Sequence, residues 1–152
     1  MHKIMFVCLG NICRSPMAEF LMKYYVKKYN LEKDYIISSS ATSDYNDGLP
    51  VYGKIKPYLD KLGIDYRDKV AVQLKKSDYN NYDYFIGMDN YNIRNMKNLF
   101  DGDKDGKVRL LRSFIEEEKE IADPYYSGDF DTAYREIEDG VKMLIRYLNG
   151  NG

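Results

Sequence analysis

The sequence predicts an α/β fold, a three-layer sandwich in which a four-stranded parallel sheet lies between helices. Two observations lead there. Short apolar runs alternate with stretches of helical spacing along the whole chain. In addition, the first apolar run passes straight into a tight loop and a helix start, the junction that open parallel sheets place at the carboxyl end of a strand. At 152 residues with 44% hydrophobic content, a single domain over 1–152 has enough apolar material for one substantial core. No repeat, low-complexity tract or linker divides it.

The elements follow in order. Ile4-Met5-Phe6-Val7 reads as a short buried strand, and Ser15 followed by Pro16 reads as an N-cap and first helical residue. Met17, Leu21, Tyr24 and Tyr25 share one face of the helix that follows. Tyr35 to Ser38 reads as the second strand, and Ile55, Tyr58, Leu59 and Leu62 mark a second helix. Tyr84 to Gly87 and Val108 to Leu111 supply the remaining strands, with Ile93, Met96 and Leu99 on a helix between them. The last helix is the clearest, with Ala133, Ile137, Val141, Leu144, Ile145 and Leu148 on one face. Asp101 to Gly106 matches the first half of a calcium loop, but its twelfth position is Arg112 where a bidentate glutamate is needed, so it reads as a polar turn. The run Glu116 to Glu120 reads as a solvated surface.

The stretch Cys8-Leu9-Gly10-Asn11-Ile12-Cys13-Arg14-Ser15 carries the chemistry. It sets a thiol, a run of backbone amides and a guanidinium before a helix N-terminus, where unpaired N–H groups and the dipole favour an anion. The same field favours thiolate over thiol, which makes Cys8 the candidate nucleophile. Arg14 can grip two phosphate oxygens with its planar fork. Gly10 and Asn11 tolerate the positive φ that a tight, inward-facing loop requires. An aryl phosphate ester gains a further two to four orders of magnitude in rate, roughly, from a positioned acid. His2, the only histidine, lies six residues before Cys8 on the same strand, roughly 20 Å away at strand rise, which excludes a Cys-His pair within one chain. The acid is then a carboxylate, and with 24 Asp and Glu residues the sequence alone does not choose it. Asp123 has a local argument: Pro124 pushes its backbone to an extended or turn conformation, which suits a side chain presented from a loop.

The segment Val7 to Pro16 resembles the signature of the low-molecular-weight protein tyrosine phosphatases, and the resemblance continues through Ser39 to Asn46, Gly87-Met88-Asp89 and Asp123-Pro124-Tyr125-Tyr126. It implies a flavodoxin-like, doubly wound sheet with helices on both faces and the phosphate loop after the first strand. It implies hydrolysis of phosphotyrosine in proteins or peptides, with no metal and no cofactor. By the same resemblance Cys8 forms a phosphocysteine, Arg14 binds the transferring group, Ser15 stabilises the leaving thiolate and Asp123 serves as general acid and then base. Asn11 and Ser39 would brace the loop, Asp89 would be a supporting acidic residue, and Tyr45, Asn46, Tyr125 and Tyr126 would form the substrate rim. Tyr45 stands where the family commonly has tryptophan, and Asp68 to Leu74 lacks the His and Arg often found there, so no role carries over to that segment.

Two further enzyme-independent readings compete with this one: a phosphocysteine carrier, which predicts no general acid, and a module that only binds phosphorylated partners. An arsenate-reductase-like oxyanion enzyme would need further cysteines, and none follows Cys13. The spacing of Cys8 and Cys13 raises the prospect of a reversible disulfide across a curled loop. Two cysteines in 152 residues suit a reducing compartment, and with no signal-peptide pattern or membrane-length apolar run the expected location is cytoplasmic. A net charge of −1 offers no field for nucleic acid or anionic membrane. Two cysteines and a distant histidine make no closed zinc site. The expected partners are phosphotyrosine-containing proteins, the chain acting as a monomer or weakly self-associating through its rim tyrosines.

Overall fold

The computed structural model describes residues 1–115 and 119–150, so most of the glutamate run at 116–118 lies outside the described residues. Strands β1 (His2–Cys8), β2 (Tyr35–Ala41), β3 (Tyr84–Gly87) and β4 (Val108–Leu110) form one sheet in the order β2-β1-β3-β4, parallel throughout. Helices α1 (Arg14–Lys28), α2 (Lys56–Asp60), α3 (Asn90–Leu99), α4 (Pro124–Ser127) and α5 (Phe130–Gly150) surround it. The order reverses at β1: the chain leaves it for β2 on one side and later places β3 on the other. The crevice outside its carboxyl end is therefore the switch point where such sheets bind ligands.

β1 is covered on both faces, which is why it reads as an unbroken apolar run and not an alternating one. Ile4 and Phe6 face a core built with α1, α2 and α5, while Met5 and Val7 face a smaller one built with Phe85, Met96, Phe100 and Val108 around α3. α1 is wedged between the sheet and α5, and its first turns are buried all round, polar residues included. Lys27 and Lys28 in its last turn complement the dipole. α5 presents Ala133, Ile137, Gly140, Val141, Leu144, Ile145 and Leu148 to the core, the face its periodicity predicts.

Several details differ from the sequence reading, β2 running on past Ser38 to Ala41 among them. α1 begins at Arg14 with Cys13 as N-cap, and Ser15 caps nothing because its hydroxyl is engaged in the loop. β4 stops at Leu110, since Leu111 opens a 3₁₀ turn through Phe114. The predicted second helix is one short turn and a half, entered through a 3₁₀ turn at Gly53–Ile55. The Asp101–Gly106 segment is a turn held by Asp103, whose carboxylate accepts from the amides of Lys107 (2.8 Å) and Val108 (3.0 Å). No helix among the described residues is long and apolar enough to cross a membrane.

Candidate active site

Cys8 ends β1 and Arg14 begins α1, so the loop between them closes over the carboxyl edge of the sheet. Residues 8–14 line a cavity of about 410 Å³ together with Tyr45, Asn46, Leu49, Tyr52, Asp123, Tyr125 and Tyr126. That size suits a small aromatic ligand.

The thiol is wrapped by donors. Asn11 N–H points to Cys8 Sγ at 3.3 Å and Ser15 Oγ lies 3.0 Å from it. Asn11 has φ 55°, as predicted, and its side chain knots the loop from below. Its Oδ1 accepts from Val72 N–H (3.2 Å), which orients the amide so that Nδ2 donates to Ser15 Oγ (2.7 Å) and Ser39 Oγ (3.0 Å). With that lone pair filled, the Ser15 hydroxyl proton is free to serve the sulfur, the Ser40 carbonyl at 3.4 Å being its other acceptor. Gly10 is a correction: its φ is not positive. A Cβ there would sit 2.4 Å from Asn46 Nδ2, so a larger residue would push aside the amide that donates to the Gly10 carbonyl at 3.4 Å.

Arg14 is 2% exposed and held from behind. Its Nη1 donates to Asp89 Oδ2 and to the Ile121 carbonyl, both at 2.8 Å, and Nη2 lies 3.5 Å from Asp123 Oδ2. Burial alone works against the charge, but Cys8, Asp89 and Asp123 outweigh it and raise the Arg14 pKa above its ordinary value. Asp89 also caps α3 by accepting from Asn92 N–H at 2.9 Å, so it ties that helix to the loop without lining the cavity. Asp123 caps α4 through Tyr125 N–H (3.0 Å) and turns its other oxygen to the cavity and Arg14. Burial and the charges of Cys8 and Asp123 push the Cys13 thiol up, against a smaller opposing pull from Arg14. Both cysteines are buried and free. Among the described residues no group of three or more His, Cys, Asp or Glu is placed to hold a metal.

A strand-end thiol, a buried arginine and an aspartate thus share one aromatic-walled cavity, and the chain as a whole is similar to known proteins. The family model for low molecular weight phosphotyrosine protein phosphatases matches residues 3–152. The chain belongs to this family. It is 33% identical to the low molecular weight protein-tyrosine-phosphatase PtpA of Staphylococcus aureus over 97% of this chain and 94% of that one. Its structure superposes on YfkJ from Bacillus subtilis with a TM-score of 0.94 at 29% identity, covering 99% and 96% of the two chains. The protein tyrosine phosphatase SP-PTP of Streptococcus pyogenes gives 0.86 at 38% identity, covering 97% and 93%. The protein is thus a phosphatase of the tyrosine-directed, low-molecular-weight class.

In this phosphatase the structure brings together every predicted site residue, with Ser15, Ser39 and Asp89 behind the cavity and the others on its wall. Sequence reading missed Tyr52, whose ring meets Tyr125 edge-on at 5.5 Å and stacks on Phe130 at 6.0 Å, forming the inner wall. It also missed Glu19, a carboxylate 6% exposed that accepts from Ser39 Oγ at 2.6 Å. Glu19 follows Ser15 by four positions on the buried face of α1, and a lone acid on such a face was the available signal. The Asp68–Leu74 segment, to which no role carried over, supplies the Val72 amide and the side chain of Lys69.

Proposed function

We propose that this phosphatase hydrolyses phosphotyrosine in proteins and peptides, and small aryl phosphates, through a phosphocysteine on Cys8 with Asp123 as general acid and base. The observation that carries it is that Cys8, Arg14 and Asp123 line one cavity whose outer walls are tyrosines. Cys8 thiolate attacks phosphorus in line as the bond to the tyrosine oxygen breaks, and Asp123 gives its proton to that oxygen. Water then attacks the phosphocysteine, Asp123 takes the water proton, and the sulfur departs as thiolate beneath the Ser15 hydroxyl and Asn11 amide. Arg14 Nη1 is held by Asp89 and Ile121, so Nη2 and Nε serve the phosphoryl oxygens as charge spreads over them. Tyr52, Tyr125 and Tyr126 stack against the substrate ring, with Tyr45 and Asn46 on the opposite rim. The two free thiols suit an intracellular phosphoprotein substrate.

The test is turnover of an aryl phosphate and a phosphotyrosine peptide, with no metal added, by the parent, Cys8→Ser and Asp123→Ala. The parent is expected to hydrolyse both and Cys8→Ser neither. Asp123→Ala should slow by about 10²–10⁴, most on the poorer leaving group. A parent that takes up phosphate on Cys8 without releasing it would instead be a phosphocarrier.

A further inference from the structure

Beneath the phosphate loop, on the side away from the cavity, lies a charged pair that this reaction does not use. Lys69 Nζ donates to the Ser39 carbonyl at 3.0 Å and lies 3.6 Å from Glu19 Oε1, and the two side chains are only 13% and 8% exposed. From there an unbroken series of contacts leads to the nucleophile: Ser39 Oγ donates to Glu19 Oε1, Asn11 Nδ2 donates to Ser39 Oγ and Ser15 Oγ, and Ser15 Oγ meets Cys8 Sγ. Each hydroxyl in that series has one proton. Ser39 spends its proton on Glu19 and so turns a lone pair to Asn11, while Ser15, accepting from the same amide, keeps its own proton for Cys8 Sγ or the Ser40 carbonyl at 3.4 Å.

We propose that Lys69 is a positioning residue for Cys8: its ammonium fixes Glu19 and Ser39, and through Asn11 and Ser15 it holds the donors on the sulfur and adds positive potential under the loop. The proposal rests on the reading of Cys8 as nucleophile.

The alternative is that Lys69 serves the fold, and the energetics oppose it. Its pKa is lowered, first by burial, with Lys23 adding to the effect and Glu19 and Cys8 only partly offsetting it. The sign follows from proton counts. Between the lowered folded pKa and the ordinary lysine value the unfolded chain binds more protons, so stability rises with pH across that window. At neutral pH the charged Lys69 therefore costs stability. A buried ion pair is in any case replaceable by apolar atoms of the same length at little or no loss. Glu19 would not be stranded, because Lys23 Nζ also holds it, at 2.6 Å on Oε2.

The experiment compares the parent with Lys69→Met and Lys69→Arg by the rate at which iodoacetamide alkylates Cys8 at pH 6, by kcat and KM on an aryl phosphate, and by Tm. Peptide mass assigns the alkylated residue. Lys69→Met is expected to alkylate about three- to tenfold more slowly, with kcat falling more than KM changes and Tm not reduced. Lys69→Arg should recover most of the rate. If Lys69→Met does not fold, Lys69→Gln takes its place under the same criteria. Alkylation within twofold of the parent in the uncharged variant, or slowing that Lys69→Arg does not relieve, overturns the proposal. Because alkylation needs no turnover, a parent inactive on phosphotyrosine would sink the phosphatase mechanism while leaving this comparison readable.

Discussion

Asn11 concentrates more of the site than any other single side chain. It spans the loop, β2 and the 69–74 segment with one amide, and it does so from a left-handed backbone conformation. Asn11→Ala would leave Ser15, Ser39 and the Val72 amide short of a partner and put alanine, which tolerates positive φ less well than asparagine, in the left-handed region. The combined cost is roughly 2–4 kcal/mol, seen as a lower Tm together with slowed Cys8 alkylation. Asn11→Gly, which keeps the backbone easy but not the bonds, should regain part of the stability and none of the reactivity. Cys13 is the residue whose chemistry the surroundings hold back. Its thiol is kept protonated by burial and by its acidic neighbours, so its attack on an oxidised Cys8 should be slow near neutral pH. After peroxide, a Cys8–Cys13 bridge is expected to form faster as pH rises, by up to about tenfold per unit. Peptide mapping that finds sulfinic Cys8 and no bridge at any pH would end the redox idea.

Four elements contribute an end to the site. β1 delivers the thiol at its last residue, α1 delivers Arg14 at its first, and the caps of α3 and α4 are Asp89 and Asp123, carboxylates that serve the helix with one oxygen and Arg14 with the other. Helix capping and guanidinium positioning are thus one design, since a carboxylate accepts along four lone pairs. α5 reaches none of these groups, yet it closes the larger core, where Gly140 is buried against Leu111. A Cβ there would lie 2.6 Å from Leu111 Cγ, the branch point of a side chain with no exposed surface. Gly140→Ala gains about 1 kcal/mol of helix propensity but pays about 1–3 kcal/mol in overpacking. A Tm lower by a few degrees with kcat unchanged is expected; a higher Tm would show that Leu111 moves aside at no cost.

At the scale of the whole molecule, the cavity lies at the switch point of the sheet in a chain whose net charge is only −1. The proposed attraction for phosphate is accordingly local, from the loop, Arg14 and the α1 N-terminus, and not from a long-range field. Inorganic phosphate, the reaction product, should therefore stabilise the fold by linkage: about 2.7 kcal/mol at a hundredfold excess over its Kd. Thermal melts against phosphate and chloride at equal ionic strength check this, and Arg14→Ala should abolish the phosphate-specific part. A rise matched by chloride would mean that the loop has no anion site.

The strand runs, the α5 face and the strand–loop–helix junction were legible because they rest on local periodicity and on residue chemistry within a few positions. Four parallel strands, the loop from Cys8 to Arg14, and Asn11 at positive φ are present in the structure as the residues predict. The N-cap was misread at Ser15 because a hydroxyl chooses its partner in three dimensions, and here the partner is a thiol seven residues back. Gly10 reads as backbone freedom, whereas in the structure its φ is not positive and what it meets is Asn46, from a distant loop. Glu19 left only the trace of a lone acid on the buried face of α1, and Lys69, Tyr52 and the Ile121 carbonyl could not be found by spacing at all. By itself the sequence determined the elements and the reactive loop; which carboxylate meets Arg14, which ring walls the cavity and which cation lies under the thiol were decided only when the sheet brought residues 14, 69, 89 and 123 to one edge, since electrostatic and hydrogen-bond contacts depend on distance in space and not along the chain.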